Sequence, residues 1–305
     1  MGTTTVADAA RQALGPAGVC LPVSFTSSPS AGLQREAVGR LERAGYRAVW
    51  TNEVIGKDAL VQLAVLLAAT QRMVFGTCIA NIWAREPQTA HGAAAWLAQA
   101  YPGRLVLGLG VGYPEQAAST GREFGRPLTT MRGYLDRMDS PTSPPAPDVA
   151  YPRIIGANGP KMLALAGEIA DGALPAALPA EFTAQARKVL GPDKLLVIGL
   201  SVIADSDRDR AKANARDSVS GRLRQPSYAA RMVQLGYSDQ EIAEVSDRLV
   251  DALVAHGDPA AIAAKVREHL AAGADHVTLL LPIGTDFSAG VDQLEQLAPA
   301  VAGVV

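Results

Sequence analysis

Four apolar runs in this chain end on residues that could do chemistry. "YRAVWTNE" (46–53) closes on the carboxylate of Glu53. "RMVFGTCIAN" (72–81) closes on Asn81 and continues through Trp83 and Arg85 to Glu86-Pro87. "RLVLGLGVG" (104–112) carries Gly108, Gly110 and Gly112 at its end, with Val111 between the last two. "RIIGAN" (153–158) leads into Gly159, Pro160 and an amphipathic stretch. A carboxylate can carry a proton, and glycines let a ligand approach the backbone closely. A helix opening at Asn158-Gly159-Pro160 would aim its N–H groups and dipole at an anion, phosphate above all, with Lys161 at hand. Each feature also has a plain structural reading. Glu53 can be a solvated loop carboxylate, the glycines a tight turn with positive φ, and Asn158 an ordinary helix cap.

The wider sequence narrows the chemistry. The 305 residues are 48% hydrophobic with a net charge of −2, which gives no electrostatic reason to bind nucleic acid. The glycine run fails the dinucleotide fingerprint, because the third glycine would fall on Tyr113. Neither a G-x-S-x-G elbow nor a phosphate loop with G-K-[ST] occurs, and basic residues are not interleaved with aromatics. Two cysteines, Cys20 and Cys78, lack C-x-x-C spacing and four histidines lack ligand pairing, so no metal is expected and the thiols read as buried and reduced. "MGTTTV" misses a myristoylation signal at Val6, no apolar run is long enough for a membrane span, and a cytoplasmic protein is expected. Chemistry supplied by a bound cofactor fits this inventory best.

The elements that must position these residues follow from pattern. Short Val-, Ile- and Leu-rich runs begin near 19, 46, 72, 104, 153, 171, 195 and 275, and most are followed by an amphipathic helical stretch. Eight strands alternating with helices over this length predict a (β/α)8 barrel, a TIM barrel, as one domain over 1–305. Two segments interrupt the rhythm. One is a Pro-rich loop at 138–152; the other is a largely charged, helical insertion at about 205–258 between strands 7 and 8. Both are expected to help close the barrel mouth. His91 is expected on a helix face, Trp96 and Tyr101 against the sheet, and Tyr113, Tyr228 and Tyr237 are candidates to reach the mouth.

"AVWTNE", "RMVFGTCIANIWARE", "YPGRLVLGLGVG" and "GANGPKMLALAGEIADGA", with the stretch 246–282, together resemble the bacterial luciferase-like monooxygenase superfamily, particularly its branch of oxidoreductases dependent on the deazaflavin coenzyme F420. The resemblance runs from about Val19 to Pro282. It implies hydride transfer between the deazaflavin ring and a small organic substrate in a homodimeric enzyme. It also implies that Ala157, Asn158, Gly159 and Pro160 form the phosphate-side turn and that Gly110, Val111 and Gly112 line the coenzyme. Glu53 would stand near the ring, with a possible proton-transfer role. A bulge with a non-proline cis bond at Cys78–Ile79 would brace one ring face, and Asn81 would shape the pocket beside it. Where some relatives place a histidine after this acid, the chain has Val54, so solvent protonation stays open beside Glu53. Two alternatives accompany this reading, an FMN-dependent monooxygenase on the same scaffold and a non-catalytic deazaflavin carrier.

Overall fold

Parallel strands close on themselves into a barrel in the computed structural model, which describes residues 4–54 and 56–304. Met1, Gly2 and Thr3, at the start of the "MGTTTV" stretch, lie outside the described residues. The strands are β1 (Ala17–Cys20), β2 (Ala48–Thr51), β3 (Val74–Thr77), β4 (Ala80–Asn81), β5 (Leu105–Gly110), β6 (Arg153–Gly156), β7 (Gly172–Leu174), β8 (Leu195–Ala204), β9 (Val254–Gly257) and β10 (His276–Leu280). Neighbours pair in the order β10, β1, β2, β3, β5, β6, β7, β8, and β10 also pairs with β8, which closes the ring. With β3 and β4 counted as halves of one strand, eight staves result, as the spacing of apolar runs predicts.

Register shows why β3 and β4 are separate. Phe75 lies opposite Leu105, whereas Ala80 lies opposite Leu109. One residue more is spent on the first strand than on the second, so the chain bulges between them. The Cys78–Ile79 peptide inside that bulge is cis.

The barrel interior is filled from alternate positions of each strand. Trp50, Val74, Val106, Ile154 and Val197 are buried there, and the helix Val6–Leu14 seals the lower end with Ala7, Ala10 and Leu14. This helix lies ahead of the first apolar run and has its own capping box at Thr5 and Asp8. Trp50 needs space that only a glycine opposite can leave. A Cβ on Gly76 would lie 2.3 Å from its ring. The indole Nε1–H of Trp50 donates to His276 Nε2 at 3.0 Å, so His276 Nδ1–H is left to donate to the Gly15 carbonyl at 2.7 Å. Around the barrel, helical apolar faces such as Leu60, Leu63 and Leu67 complete the larger core.

Three expectations need correction. The insertion is not helical throughout. After the helices Arg208–Leu223, Pro226–Gln234, Asp239–Ala243 and Asp247–Leu253, it ends in β9, which pairs with the upper half of β8 from Ser201 to Ala204. β8 is ten residues long and outgrows the barrel, leaving an edge that "VAHG" covers. The Pro-rich loop is irregular as expected, but it lies away from the mouth. It follows the C-terminus of the helix Pro127–Met138 and enters the start of β6, so it runs below the barrel, where Asp139 pairs with Arg153. Trp96 is 65% exposed rather than packed on the sheet.

Candidate functional site

The mouth is a cavity of about 960 Å³ at the C-terminal ends of the strands. Its floor includes Cys20, Asn52, Cys78, Asn158 and Ser201, and its outer wall comes from the insertion through Asn214, Ser218, Arg222 and Tyr228. Tyr113 also reaches it, whereas Tyr237 is buried beneath the Arg248 guanidinium, 4.6 Å from the ring centre. His91 is outside the barrel, 2.7 Å from the Tyr151 hydroxyl.

The bulge supplies the cavity's most constrained corner. Ile79 leans over the neighbouring strands, with Cδ1 1.8 Å from where a Cβ on Gly110 would stand and Cγ2 3.3 Å from the equivalent point on Gly156. Packing against the bulge therefore requires the glycine at 110, while at 156 it leaves only a tight fit for a Cβ. Gly112 meets the other requirement, a turn with φ +57°. Val111 sits between these glycines, and its carbonyl accepts from the Trp83 indole N–H at 2.7 Å.

Glu53 clamps this bulge. Its backbone N–H donates to the Ile79 carbonyl, Oε2 accepts from Asn81 N–H at 2.7 Å, and Oε1 accepts from Ala59 N–H at 2.8 Å. The Arg85 guanidinium completes a two-pronged ion pair with both oxygens. Burial opposes charge on Arg85, but the Glu53 carboxylate lifts its pKa above the ordinary value. The Glu53 side chain is fully buried and does not line the cavity. A proton carrier needs a lone pair turned toward the reacting atom, and here both oxygens are engaged by the protein's own donors. Its geometry is that of a positioning residue. Arg85 and Trp83, the polar and aromatic residues that end this run, are likewise fasteners of the rim.

Asn81 is different. Its Oδ1 accepts from Trp83 N–H at 2.9 Å, while Nδ2 is buried with no hydrogen-bond partner among the described residues. An unsatisfied buried amide costs about 1–3 kcal/mol. Like Glu53, Asn81 lies behind the cavity lining rather than in it.

The turn after β6 departs from the expected cap. Gly159, not Asn158, is the N-cap of the helix Pro160–Ile169, and no side chain caps that helix. Asn158 instead turns its Oδ1 to the Ala176 N–H at 2.9 Å, tying the ends of β6 and β7 together, while Ala157 is buried with its N–H on the Leu174 carbonyl. Open N–H groups at the helix start are thus left beside Lys161, and Arg231 from the insertion brings Nη2 to 2.8 Å from where a Gly159 Cβ would lie. The Arg231 guanidinium at the uncapped positive end of a helix makes a cradle for an anion.

Sequence reasoning placed Cys78 at the site but missed its mouth neighbour Cys20, and it missed Lys57 beside them. Cys20 and Cys78 are neighbours, with Sγ atoms 3.3 Å apart, and hydrogen bonding to Cys20 together with burial holds the Cys78 thiol well above its ordinary pKa. Cys78 is therefore held as the neutral thiol. Lys57 Nζ donates to Thr51 Oγ1 and Asn52 Oδ1, and burial lowers its pKa. Each cysteine ends or follows an apolar run, which was the available signal.

Comparison with known proteins agrees with this architecture. The family profile described as luciferase-like monooxygenase matches residues 16–140 and 134–276. A Mycobacterium tuberculosis protein named as a coenzyme F420-dependent oxidoreductase is 33% identical over 172 residues, covering 46% of this chain and 50% of its own length. The chain thus spans about half of that relative. The 5,10-methylenetetrahydromethanopterin reductase of Methanolobus tindarius is 26% identical over 298 residues, covering 80% of this chain and 88% of its own. Among solved structures, an F420-dependent secondary alcohol dehydrogenase in complex with an F420-acetone adduct superposes with TM-score 0.72 over 94% of this chain and 99% of that one, at 19% identity. At that identity the superposition speaks for the fold. With the barrel, its bulge and a profile match over most of its length, the chain belongs to the luciferase-like monooxygenase family and is an enzyme of that family.

Proposed function

We propose that this protein is an F420-dependent oxidoreductase that moves a hydride between the deazaflavin ring and a small organic substrate. The observation that carries the reading is Ile79, seated in the notch left by Gly110 and Gly156 and held there by the Glu53–Arg85 clamp. Relatives named for the same coenzyme support the choice of cofactor.

The residues present fit such a coenzyme. Ile79 offers an apolar brace for a flat ring, the buried Asn81 Nδ2 just behind it is a donor left without a partner among the described residues, and the uncapped start of the helix Pro160–Ile169 with Lys161 and Arg231 suits an anionic tail. Gly110, Val111, Gly112, Ala157, Asn158 and Gly159 would line it, and Cys78 would stand behind the ring. When bound, the deazaflavin accepts or gives a hydride. The protein binds and orients it, and the insertion walls the cavity from water. Glu53 acts through the bulge rather than on the substrate, so solvent supplies or takes the proton. We further infer a homodimer. Val61 and Trp96, on the helices Ala59–Ala68 and Pro87–Ala100, are 64% and 65% exposed and are apolar surface for a contact to cover.

The test is direct binding. Quenching of fluorescence should show the chain taking reduced F420 in preference to reduced FMN, and selective FMN binding would replace this reading with a monooxygenase. Tight F420 binding without turnover across alcohols, ketones and enoyl substrates would instead indicate a carrier.

A further inference from the structure

We propose that Arg222 is the specificity-determining residue of the cavity and that the substrate is an organic acid, an apolar body ending in a carboxylate or phosphate; this rests on the hydride-transfer reading above. Asn214, Ser218 and Arg222 recur at every fourth position of the helix Arg208–Leu223, so they share the face that lines the cavity. Arg222 Nη1 is buried and hydrogen-bonded to nothing among the described residues.

Among the described residues no carboxylate pairs with it. The other charged residue lining the cavity is Asp205, and both of its oxygens are held by Arg210 at 2.6 Å. The nearby Tyr228 hydroxyl donates to the Ala177 carbonyl at 2.6 Å and turns its oxygen to the Arg222 guanidinium, a neutral contact that leaves Nη1 open and the charge unbalanced. Ser201 Oγ, on the cavity floor, is also buried without a partner among the described residues. A guanidinium and a hydroxyl left open in one cavity match an oxyanion, which can take a charge-assisted bond from the first and a neutral one from the second. Leu21, Val23, Phe25, Leu280, Leu281 and Ile283 make the rest of the lining apolar, which suits a hydrocarbon body.

A coenzyme tail is a second source of negative charge. The cradle at Gly159, with Lys161 and Arg231, already provides for that tail on the far side of the β6 turn. Arg222 is therefore assigned to the substrate.

Hexanoate, hexan-1-ol and inorganic phosphate serve as probes, read by calorimetric titration and by the shift in melting temperature, on the full chain with and without F420. Hexanoate should bind and raise the melting temperature, hexan-1-ol should do so at least about tenfold more weakly, and Arg222→Met should erase that difference. Arg222→Lys should keep part of it, and unchanged F420 quenching by both variants shows that the mouth is still folded. Equal binding of hexanoate and hexan-1-ol by the wild type, or an undiminished preference in Arg222→Met, overturns the proposal. So does a loss of F420 affinity of tenfold or more in Arg222→Met with hexanoate binding retained, which would give Arg222 to the coenzyme tail. Failure of the wild type to bind F420 would defeat the oxidoreductase reading alone, because the anion arm is also read without coenzyme.

Discussion

Ile79 fills the space that any side chain on Gly110 would need. Gly110→Ala must therefore push the bulge side chain out of its notch. Overpacking of this kind costs about 1–3 kcal/mol. We expect a lower urea midpoint together with a loss of F420 affinity. Gly133→Ala, in the helix Pro127–Met138 where a Cβ meets nothing within 4 Å, is the control. It should leave binding unchanged and raise stability by about 0.5–1 kcal/mol.

Glu53→Gln keeps the shape of the clamp and removes its charge, leaving Arg85 with Asp58 alone. Breaking a buried pair from one side costs about 3–5 kcal/mol, and the remaining Asp58 contact places the expected loss near the lower end, about 3 kcal/mol. Urea denaturation reads it. The pH profile of hydride transfer should keep its midpoints; a lost limb in that profile would return Glu53 to the role of proton carrier.

His276 and His269 set an acid limit on stability. Burial pushes both pKa values down to about 4, from an ordinary 6.5. Between these values the unfolded chain takes up protons that the folded one refuses, so stability is complete above about pH 6.5 and falls as pH drops toward 4. The loss is on the order of 3 kcal/mol per histidine. Urea midpoints at pH 7 and pH 5 should differ accordingly, and His276→Gln should flatten about half of that slope.

Arg231→Met removes one cation from the open helix start at Gly159. The coenzyme's dissociation constant should rise about tenfold, with a weaker dependence on salt. An unchanged constant would mean that the turn after β6 does not hold the tail.

The barrel was legible because strands buried on both faces must read as apolar runs, and the helices between them carry start signals, such as the cap Asp58 and Pro87 at a first helical position. The bulge at Cys78–Ile79 was legible only through family resemblance, since nothing in the local residue types marks one extra residue. What escaped has physical causes. "VAHG" is four residues among helices, and it becomes a strand only because β8 offers an edge. The side of the barrel on which the 138–152 loop falls depends on chain direction rather than composition. The roles of Trp83 and Arg85 stayed hidden because their partners, the Val111 carbonyl and the Glu53 carboxylate, are distant in sequence.

β8 belongs to two structures at once. Its lower residues, Val197 to Ser201, pair with β10 and shut the barrel, while Ser201 to Ala204 carry β9 and with it the whole insertion. The wall that would choose the substrate is thus riveted to the catalytic frame through one continuous strand, and its helices can be exchanged without reopening the ring. Replacing residues 208–253 with the equivalent stretch of a relative, while keeping β8 and β9, is the graft by which such a frame would acquire a new substrate.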